Sequence, residues 1–248
     1  MAHVGYTIKR QEIDVMGIKL YADGANLDDI KKLTLNDKIS GFTTNPTLMK
    51  KAGVENYVDF AAKAVKIVND LPISLEVFSD DLDGMETQAI KLSSLGTNVY
   101  VKIPVTNTKG VSTVPIIKKL SQQGVKLNVT AVFTIKQVKE VVANLSDTTP
   151  SVISVFAGRI ADTGVDPVPH MIQCKEIISS NSLCELLWAS PREVLNVYQA
   201  AQCQCDIITA TPSILTKYEK LASKNLEQFS LETVQMFYND AKAAGYTL

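Results

Sequence analysis

Histidine and cysteine, the residues that most often bind transition metals, are scarce in this sequence. The 248 residues include two histidines and four cysteines. Cys203 and Cys205 are separated by a single residue, which is not the ligand spacing of a zinc site. No metal centre is therefore predicted. His170 follows a loop and lies among prolines and hydrophobic residues, so it is expected on the surface or at the start of a helix.

The chain also lacks an excess of either charge, a glycine-rich nucleotide-binding motif and a hydrophobic run of transmembrane length. Its 25 Lys and Arg residues nearly balance its 26 Asp and Glu residues. This balance argues against a protein held to nucleic acid or to a membrane surface by bulk charge. No secretory signal is recognisable either, so the expected setting is the reducing cytoplasm, the expected partners are small molecules, and no cofactor is predicted.

What the sequence does contain is a regular alternation of strand and helix patterns. Runs rich in β-branched and aromatic residues predict strands, and apolar residues that recur every three or four positions predict helices. The predicted strands are 18–22, 38–44, 73–78, 98–106, 126–133, 152–157, 185–189 and 206–210. The predicted helices are 26–36, 54–70, 81–95, 111–123, 135–144, 169–179, 194–201, 212–222 and 231–244.

Eight strand–helix units with short connections favour an α/β fold of the (β/α)8 TIM-barrel type over a doubly wound sheet, which usually has fewer strands. Residues 1–17 are mixed in character and are predicted to be an N-terminal extension, so a single barrel domain is predicted over 18–248. The last helix, 231–244, is additional to the eight units. It is expected to cover one end of the barrel or to dock on a neighbouring subunit.

A single lysine, Lys102, lies in the middle of the fourth predicted strand, within the sequence Val-Tyr-Val-Lys-Ile-Pro. Burying a charged amine is costly, and a buried lysine that loses its proton becomes a nucleophile toward carbonyl groups. The alternative is a strand lysine whose amine reaches solvent or pairs with a carboxylate. The polar residues elsewhere in the chain favour the nucleophile.

These other polar residues fall at the carboxyl ends of the predicted strands, where barrel enzymes carry their chemistry. They are Asp23, Thr43, Asn45, Glu76, Asn128, Thr130, Ser154, Arg159, Ser190 and Arg192. Structural alternatives exist, because Asp23 or Ser190 could cap a helix. Asn45 could equally be a turn residue, and Glu76 a charge on the rim.

Taken together, these side chains fit imine chemistry on a polyhydroxylated carbonyl compound. Lys102 would attack the carbonyl carbon, a carboxylate and a bound water would move protons, and amides and hydroxyls would hold the hydroxyls of a sugar. Arg159, Ser190 and Arg192 belong to late strands, where barrels often bind phosphate. Because guanidinium groups match phosphate or sulfonate, the predicted substrate is an anionic sugar.

Six stretches, in chain order, resemble the transaldolase family in the short form that also contains the fructose-6-phosphate aldolases. They are YAD at 21–23, GFTTNP at 41–46, VKIPVT at 101–106, NVTAVF at 128–133, FAGRI at 156–160 and WAS at 188–190. The order of Thr-Thr-Asn-Pro and Val-Lys-Ile-Pro is the specific part of the match. The resemblance covers about residues 18–220 and implies a TIM-barrel enzyme that needs no cofactor.

The resemblance also implies a role for each site residue. Lys102 would form the Schiff base, Asp23 would accept the proton of the C4 hydroxyl when the C3–C4 bond breaks, and Glu76 with Thr130 would hold the catalytic water. The substrate-binding residues would include Thr43 and Phe156. Asn45, Asn128 and Ser154 would bind the dihydroxyacetone part of the substrate, and Arg159, Ser190 and Arg192 would bind its anionic tail.

The family divides between transfer and simple aldol cleavage, and three residues bear on that division. Glu76 is an acid where the aldolases carry Gln, Phe156 stands where they carry Tyr, and Ser154 where they carry Ala. A phenol could help to protonate and release the three-carbon unit, and phenylalanine cannot. The expected reaction is therefore transfer of dihydroxyacetone from a ketose phosphate (fructose 6-phosphate or sedoheptulose 7-phosphate) to an aldose phosphate.

Three other hypotheses remain open from the sequence. The first is aldolase-type cleavage of fructose 6-phosphate, and the second is action on a sulfonated ketose such as sulfofructose, because Ser-Pro-Arg at 190–192 is unusual. The third is a non-catalytic barrel that acts as a scaffold. The resemblance further implies a homo-oligomer, in rings of five or ten subunits, with the last helix laid on a neighbour.

Overall fold

The computed structural model describes residues 17–222 and 224–247. The predicted extension at 1–17 therefore lies outside the described residues, apart from Gly17. The division of the chain into an extension and one barrel domain stays a prediction.

Strands and helices alternate along the described residues. The strands are β1 (Lys19–Asp23), β2 (Ile39–Thr43), β3 (Ile73–Glu76), β4 (Val99–Pro104), β5 (Leu127–Val132), β6 (Ser151–Val155), β7 (Cys184–Trp188) and β8 (Ile207–Ala210). The helices are α1 (Leu27–Leu33), α2 (Pro46–Lys51), α3 (Tyr57–Val68), α4 (Leu82–Ser93), α5 (Val114–Gln122), α6 (Ile135–Val142), α7 (Ala157–Asp162), α8 (Pro167–Ile178), α9 (Leu195–Gln202), α10 (Pro212–Leu221) and α11 (Leu226–Ala243).

The eight strands form a closed barrel in the order β1 to β8. Every neighbouring pair is parallel, including β8 with β1, so the sheet has no open edge. The predicted (β/α)8 TIM barrel with an additional C-terminal helix is confirmed.

Two apolar regions lie on opposite faces of the barrel sheet. Val101 and Ile103 of β4 are fully buried in the main core between sheet and helices, so Lys102 between them faces the interior of the barrel. A smaller buried cluster fills part of that interior with Tyr21, Val152, Leu187, Ala189 and Ile207. Polar residues occupy the same face closer to the carboxyl ends of the strands. We call this part of the interior the polar chamber; its buried polar residues are Thr43, Ser74, Lys102, Asn128, Thr130, Ser154 and Thr209.

Two short helices were not predicted. Helix α2 begins at Pro46 immediately after Asn45, and α7 begins immediately after Phe156; each has six residues. Six residues are too few for a 3.6-residue periodicity to be recognised. The sequence also placed the start of the last helix at residue 231, whereas α11 begins at Leu226, capped by the side chain of Asn225.

Helix α11 contains no buried residue. Its large apolar side chains are exposed to solvent: Leu226, Phe229, Leu231, Val234, Met236, Phe237 and Tyr238. Exposed apolar surface of this extent often marks an interaction site. None of the described helices is long and apolar enough to cross a membrane.

Helix α7 lies directly against the backbone that follows β7. The amide of Gly158 donates a hydrogen bond to the carbonyl of Ala189 at 3.2 Å. A Cβ atom on Gly158 would lie 1.5 Å from the carbonyl oxygen of Ser190, so only glycine permits this approach.

We expect Gly158→Ala to lower the free energy of unfolding by about 3 kcal/mol or more, because the clash is with backbone and a side-chain rotation cannot relieve it. Chemical denaturation would measure the change. Gly24→Ala is the matched control, since a Cβ there meets nothing within 4 Å. Equal stability of the two variants would contradict this account of the packing.

Candidate active site

Lys102 lies at the centre of the polar chamber. Its side chain is 8 % exposed, and its Nζ atom lies 3.0 Å from Glu76 Oε2. The amine also donates a hydrogen bond to the carbonyl oxygen of Thr44 at 2.9 Å. The register of β4 places Lys102 beside Glu76 on β3 and Asn128 on β5. The amine is therefore fixed between two oxygen atoms. Of the two structural alternatives, pairing with a carboxylate is observed, and an amine that reaches solvent is excluded.

Asp23 ends β1 on the interior face and is tied to two threonine hydroxyls. Thr43 Oγ1 donates to Asp23 Oδ1 at 2.8 Å, and the same Thr43 Oγ1 lies 2.5 Å from Thr209 Oγ1 on β8. Burial raises the pKa of Asp23, the charge of Lys102 and the Thr43 hydrogen bond oppose that rise, and Glu76 adds to it. Asp23 does not cap α1, because Asn26 does so. It is a partly buried carboxyl group aimed into the chamber.

The side-chain amide of Asn128 is oriented by two serines. Ser154 Oγ donates to Asn128 Oδ1 at 2.6 Å, and Asn128 Nδ2 donates to Ser74 Oγ at 3.0 Å. Thr130, two residues further along β5, is buried on the same face. The strand register shifts between Val129 and Val132, as at a bulge, and bulges often redirect side chains near active sites.

Asn45 lies between β2 and α2 and serves as a helix cap. Its side-chain oxygen accepts a hydrogen bond from the amide of Leu48 at 2.9 Å, and Pro46 occupies the first helical position. The oxygen of Asn45 therefore has a structural role, as a helix cap and not as the turn residue considered from the sequence. Its Nδ2 group is a separate donor, which a bound hydroxyl could use.

The residues predicted to bind an anion gather beside α7. Phe156 precedes that helix, its ring packs 5.5 Å from the ring of Phe133, and the guanidinium of Arg159 lies 5.3 Å from the Phe156 ring centroid. Ser190 adopts a left-handed backbone conformation with φ of 58°, where the chain leaves β7. These positions bring the carboxyl ends of β6 and β7 together at one side of the mouth.

Arg192 does not extend freely into solvent. Its Nε donates to Asp162 Oδ1 at 3.0 Å, at the end of α7. The hydrogen bond from Arg192, followed by the charges of Arg192 and Arg159, lowers the pKa of Asp162. Arg192 is therefore tied to the end of α7, and one edge of its guanidinium is already paired with a carboxylate.

Three residues that contact the predicted site were missed from the sequence. They are Thr44, which contributes its carbonyl oxygen, and Ser74 and Thr209, which contribute hydroxyls. Ser74 precedes Glu76 by two positions and therefore shares its face of β3, so the twofold periodicity of a strand could have identified it. Thr209 follows Ile207 by two positions on β8, so the same periodicity could have identified it. The role of the Thr44 carbonyl could not have been predicted, because every residue has a backbone carbonyl.

Within residues 17–222 and 224–247, no group of three or more His, Cys, Asp or Glu side chains is arranged to hold a metal ion. The chamber instead combines one amine, two carboxyl groups, two amides and several hydroxyls. Such a set can form and hydrolyse an imine, move protons and hold a polyhydroxylated chain.

Comparison with solved structures supports the fold alone. KGPDC from Streptococcus mutans aligns with a TM-score of 0.52 at 10% identity and covers 78% of this chain and 88% of its own. A dihydrodipicolinate synthase aligns with a TM-score of 0.55 at 11% identity over 78% of this chain and 70% of its own.

Comparison of sequences is more specific. The chain is 34% identical over 215 residues to a probable transaldolase of Thermoanaerobacter sp. (strain X514), covering 86% of this chain and 95% of the relative. It is 37% identical over 201 residues to a probable transaldolase of Carboxydothermus hydrogenoformans, covering 81% and 89%. Residues 20–248 match the family model described as Transaldolase/Fructose-6-phosphate aldolase. The chain therefore belongs to the transaldolase/fructose-6-phosphate aldolase family, as its motifs predicted.

Proposed function

We propose that this protein is a transaldolase that transfers a dihydroxyacetone unit from fructose 6-phosphate or sedoheptulose 7-phosphate to an aldose phosphate through a Schiff base on Lys102. The observation that carries the proposal is the placement of the Lys102 amine, which is buried in the barrel and lies 3.0 Å from Glu76. Family membership agrees with this chemistry. The role of each residue below is part of the proposal.

The reaction begins when the amine of Lys102 gives a proton to Glu76 and adds to the C2 carbonyl of the ketose. Glu76 returns the proton as water leaves, and the protonated imine forms. Glu76 and Thr130 hold the water that carries protons in this step. Asp23 then takes the proton of the C4 hydroxyl, the C3–C4 bond breaks, and its electron pair moves into the protonated imine to give a neutral enamine. The aldose departs, and an acceptor aldehyde later reacts with the enamine by the reverse steps.

Substrate hydroxyls are held by groups whose orientation the protein fixes in advance. Ser154 occupies the oxygen of Asn128, so the amide nitrogen is directed as a donor. Asn45 offers its Nδ2 group as a donor, and Thr43, whose proton is donated to Asp23, offers its hydroxyl oxygen as an acceptor. A preoriented set of donors and acceptors avoids the cost of ordering these groups when the sugar binds.

The anionic tail of the substrate would bind beside α7, which carries Arg159 and lies against the backbone of Ser190. Arg192 reaches this position while paired with Asp162. A phosphate would either share Arg192 with Asp162 or displace the carboxylate, and Arg159 stacked near Phe156 supplies the second guanidinium.

Transfer is favoured over simple cleavage because Phe156, unlike a tyrosine at the same position, has no proton to give to the enamine. Phe156 stands at this position and packs on Phe133, which keeps this side of the chamber apolar. An enamine protected from protonation persists until an aldehyde acceptor arrives.

The biological setting follows as part of the same proposal. A transaldolase would serve the pentose phosphate pathway, and we place it in the cytoplasm because the four cysteines are free and buried, as suits a reducing compartment. We also propose a homo-oligomer, of five or ten subunits, in which α11 packs on a neighbouring subunit and buries its exposed apolar side chains.

Reduction with borohydride in the presence of fructose 6-phosphate is expected to add one reduced dihydroxyacetone unit to the intact mass of the protein. Lys102→Met removes the nucleophile and should abolish the adduct. Lys126→Met, which removes a lysine that lies over the Tyr100 ring at 5.6 Å, is the matched control and should still be trapped.

A wild-type protein that gains no mass with fructose 6-phosphate, sedoheptulose 7-phosphate or sulfofructose would contradict the proposed function and favour the scaffold hypothesis. Accumulation of free dihydroxyacetone without an acceptor would instead identify an aldolase. A rate that rises when erythrose 4-phosphate is added is the result expected for a transaldolase.

Asp23→Asn is expected to reduce turnover by about 10² to 10⁴-fold, the usual effect of losing a general base. It should also raise Tm at pH 7, by about 2 °C. The folded-state pKa of Asp23 is raised above its unfolded value, so the ionised carboxylate destabilises the fold above that pKa. This destabilisation, and with it the gain in Tm of Asp23→Asn, disappears as the pH falls below the pKa of Asp23 in the unfolded chain.

Thermal unfolding at pH 7 and at lower pH would measure this gain, which should shrink as the solution is acidified. Asp162→Asn is the control, because the pKa of Asp162 is lowered by its contact with Arg192 and its removal should bring no gain. A variant at Asp23 that is less stable at pH 7 would show that the carboxylate stabilises the fold.

Replacing Val234 and Phe237 of α11 by glutamate is expected to dissociate the oligomer, because both are exposed apolar side chains and a buried charge would oppose packing. Sedimentation velocity would report the assembly. Gln235→Glu, at a polar position of the same helix, should leave it intact. A monomeric wild-type protein would contradict the proposed assembly.

A further inference from the structure

Thr209 on β8 is a buried residue for which neither the motifs nor the proposed steps provide a role. It is 5% exposed and lies two residues after Ile207, a member of the apolar cluster inside the barrel. It therefore faces the chamber. Its hydroxyl lies 2.5 Å from the hydroxyl of Thr43.

The direction of the hydrogen bonds follows from counting protons. A threonine hydroxyl has one proton to donate. Thr43 donates its proton to Asp23 Oδ1, so it can only accept at its contact with Thr209. Thr209 is then the donor, and the three groups form a directed chain from Thr209 through Thr43 to the carboxylate of Asp23.

We propose that Thr209 is a positioning residue for Asp23, acting through the hydroxyl of Thr43. By donating to Thr43, Thr209 fixes the Thr43 proton toward the carboxylate and strengthens the bond that holds it. This inference rests on the proposed function, which makes Asp23 the group that accepts the C4 proton. Thr209 itself touches neither substrate nor reacting atoms in this scheme.

The chain favours the ionised form of Asp23, because a hydrogen bond to a carboxylate is about twice as strong as one to a neutral acceptor. Linked hydrogen bonds also strengthen one another. Without the Thr209 hydroxyl, the bond from Thr43 weakens, and the pKa of Asp23 rises further in the direction that burial already imposes.

Other charges around Asp23 come from four elements. Lys102 on β4 lowers its pKa and Glu76 on β3 raises it. Asp29 of α1 and Lys51 of α2 line a cavity of about 300 Å³ beside Asp23. A substitution at Thr209 changes none of these charges, so a shift in the titration of Asp23 would report the hydroxyl chain.

The test compares Thr209→Val, which keeps the shape and loses the hydroxyl, with Thr209→Ser, which keeps the hydroxyl. Turnover of fructose 6-phosphate with erythrose 4-phosphate is measured as kcat/KM from pH 5 to 9. The acid limb of the valine variant should shift upward by about 0.5 unit, and its rate below that limb should fall about threefold. The serine variant should follow the wild-type profile.

Thr149→Val is the matched control. Thr149 is also a buried threonine, and its hydroxyl donates to the carbonyl of Ser121 at 2.7 Å, away from Asp23. This variant loses a buried hydrogen bond and should keep the wild-type profile. Thr209→Ala provides a second hydroxyl-free variant should the valine protein fail to fold, and it should show the same upward shift.

A uniform loss of rate at every pH in the valine variant, or a serine variant that behaves like valine, would overturn the proposal and leave a packing role. A measurement without substrate distinguishes failure of the Thr209 proposal from failure of the proposed transaldolase function. The Asp23 carboxyl is followed by carbon NMR, with Asp23→Asn to assign its signal. An unchanged titration in Thr209→Val would refute the positioning role even if the protein proved not to be a transaldolase.

Discussion

The structure of the chamber depends on the burial of one amine. Lys102 lies inside a barrel whose interior is apolar in one part and polar toward the carboxyl ends of the strands, and a buried amine without partners would cost several kcal/mol. Its partners are supplied by neighbouring strands, with the carboxylate of Glu76 from β3 and the carbonyl of Thr44 just after β2. The same contacts hold the amine where a carbonyl substrate can reach it, so the requirement for stability and the requirement for chemistry coincide.

Two hydroxyl-containing networks extend from this centre around the barrel. One runs from Thr209 through Thr43 to Asp23, and the other from Ser154 through Asn128 to Ser74. The first network joins β8 to β2, which are not adjacent. The second joins β5 to β3, which lie on opposite sides of β4 and Lys102. Because their members are buried or partly buried and hydrogen-bonded to one another, the networks fix side-chain directions before any substrate arrives.

Much of this arrangement was predictable, because eight strand–helix units determine a barrel and the twofold periodicity of a strand assigns its faces. The positions of Asp23, Glu76, Lys102 and Asn128 at one mouth follow from those two rules. The short helices α2 and α7 could not be predicted, because six residues are too few to show the 3.6-residue periodicity of a helix. The contact of Arg192 with Asp162 depends on a backbone turn at Ser190, whose left-handed conformation has no signature in a non-glycine residue. The role of the Thr44 carbonyl was equally invisible, because every residue has one.

The central claim is that the buried amine of Lys102 and the carboxyl group of Asp23 act on the same ketose. A crystal structure of the protein soaked with fructose 6-phosphate tests it most directly. The account predicts continuous density from Lys102 Nζ to C2 of the sugar, the C4 hydroxyl within hydrogen-bond distance of Asp23, and the phosphate beside Arg159. A sugar bound with its carbonyl turned away from Lys102, or bound outside the barrel mouth, would contradict it.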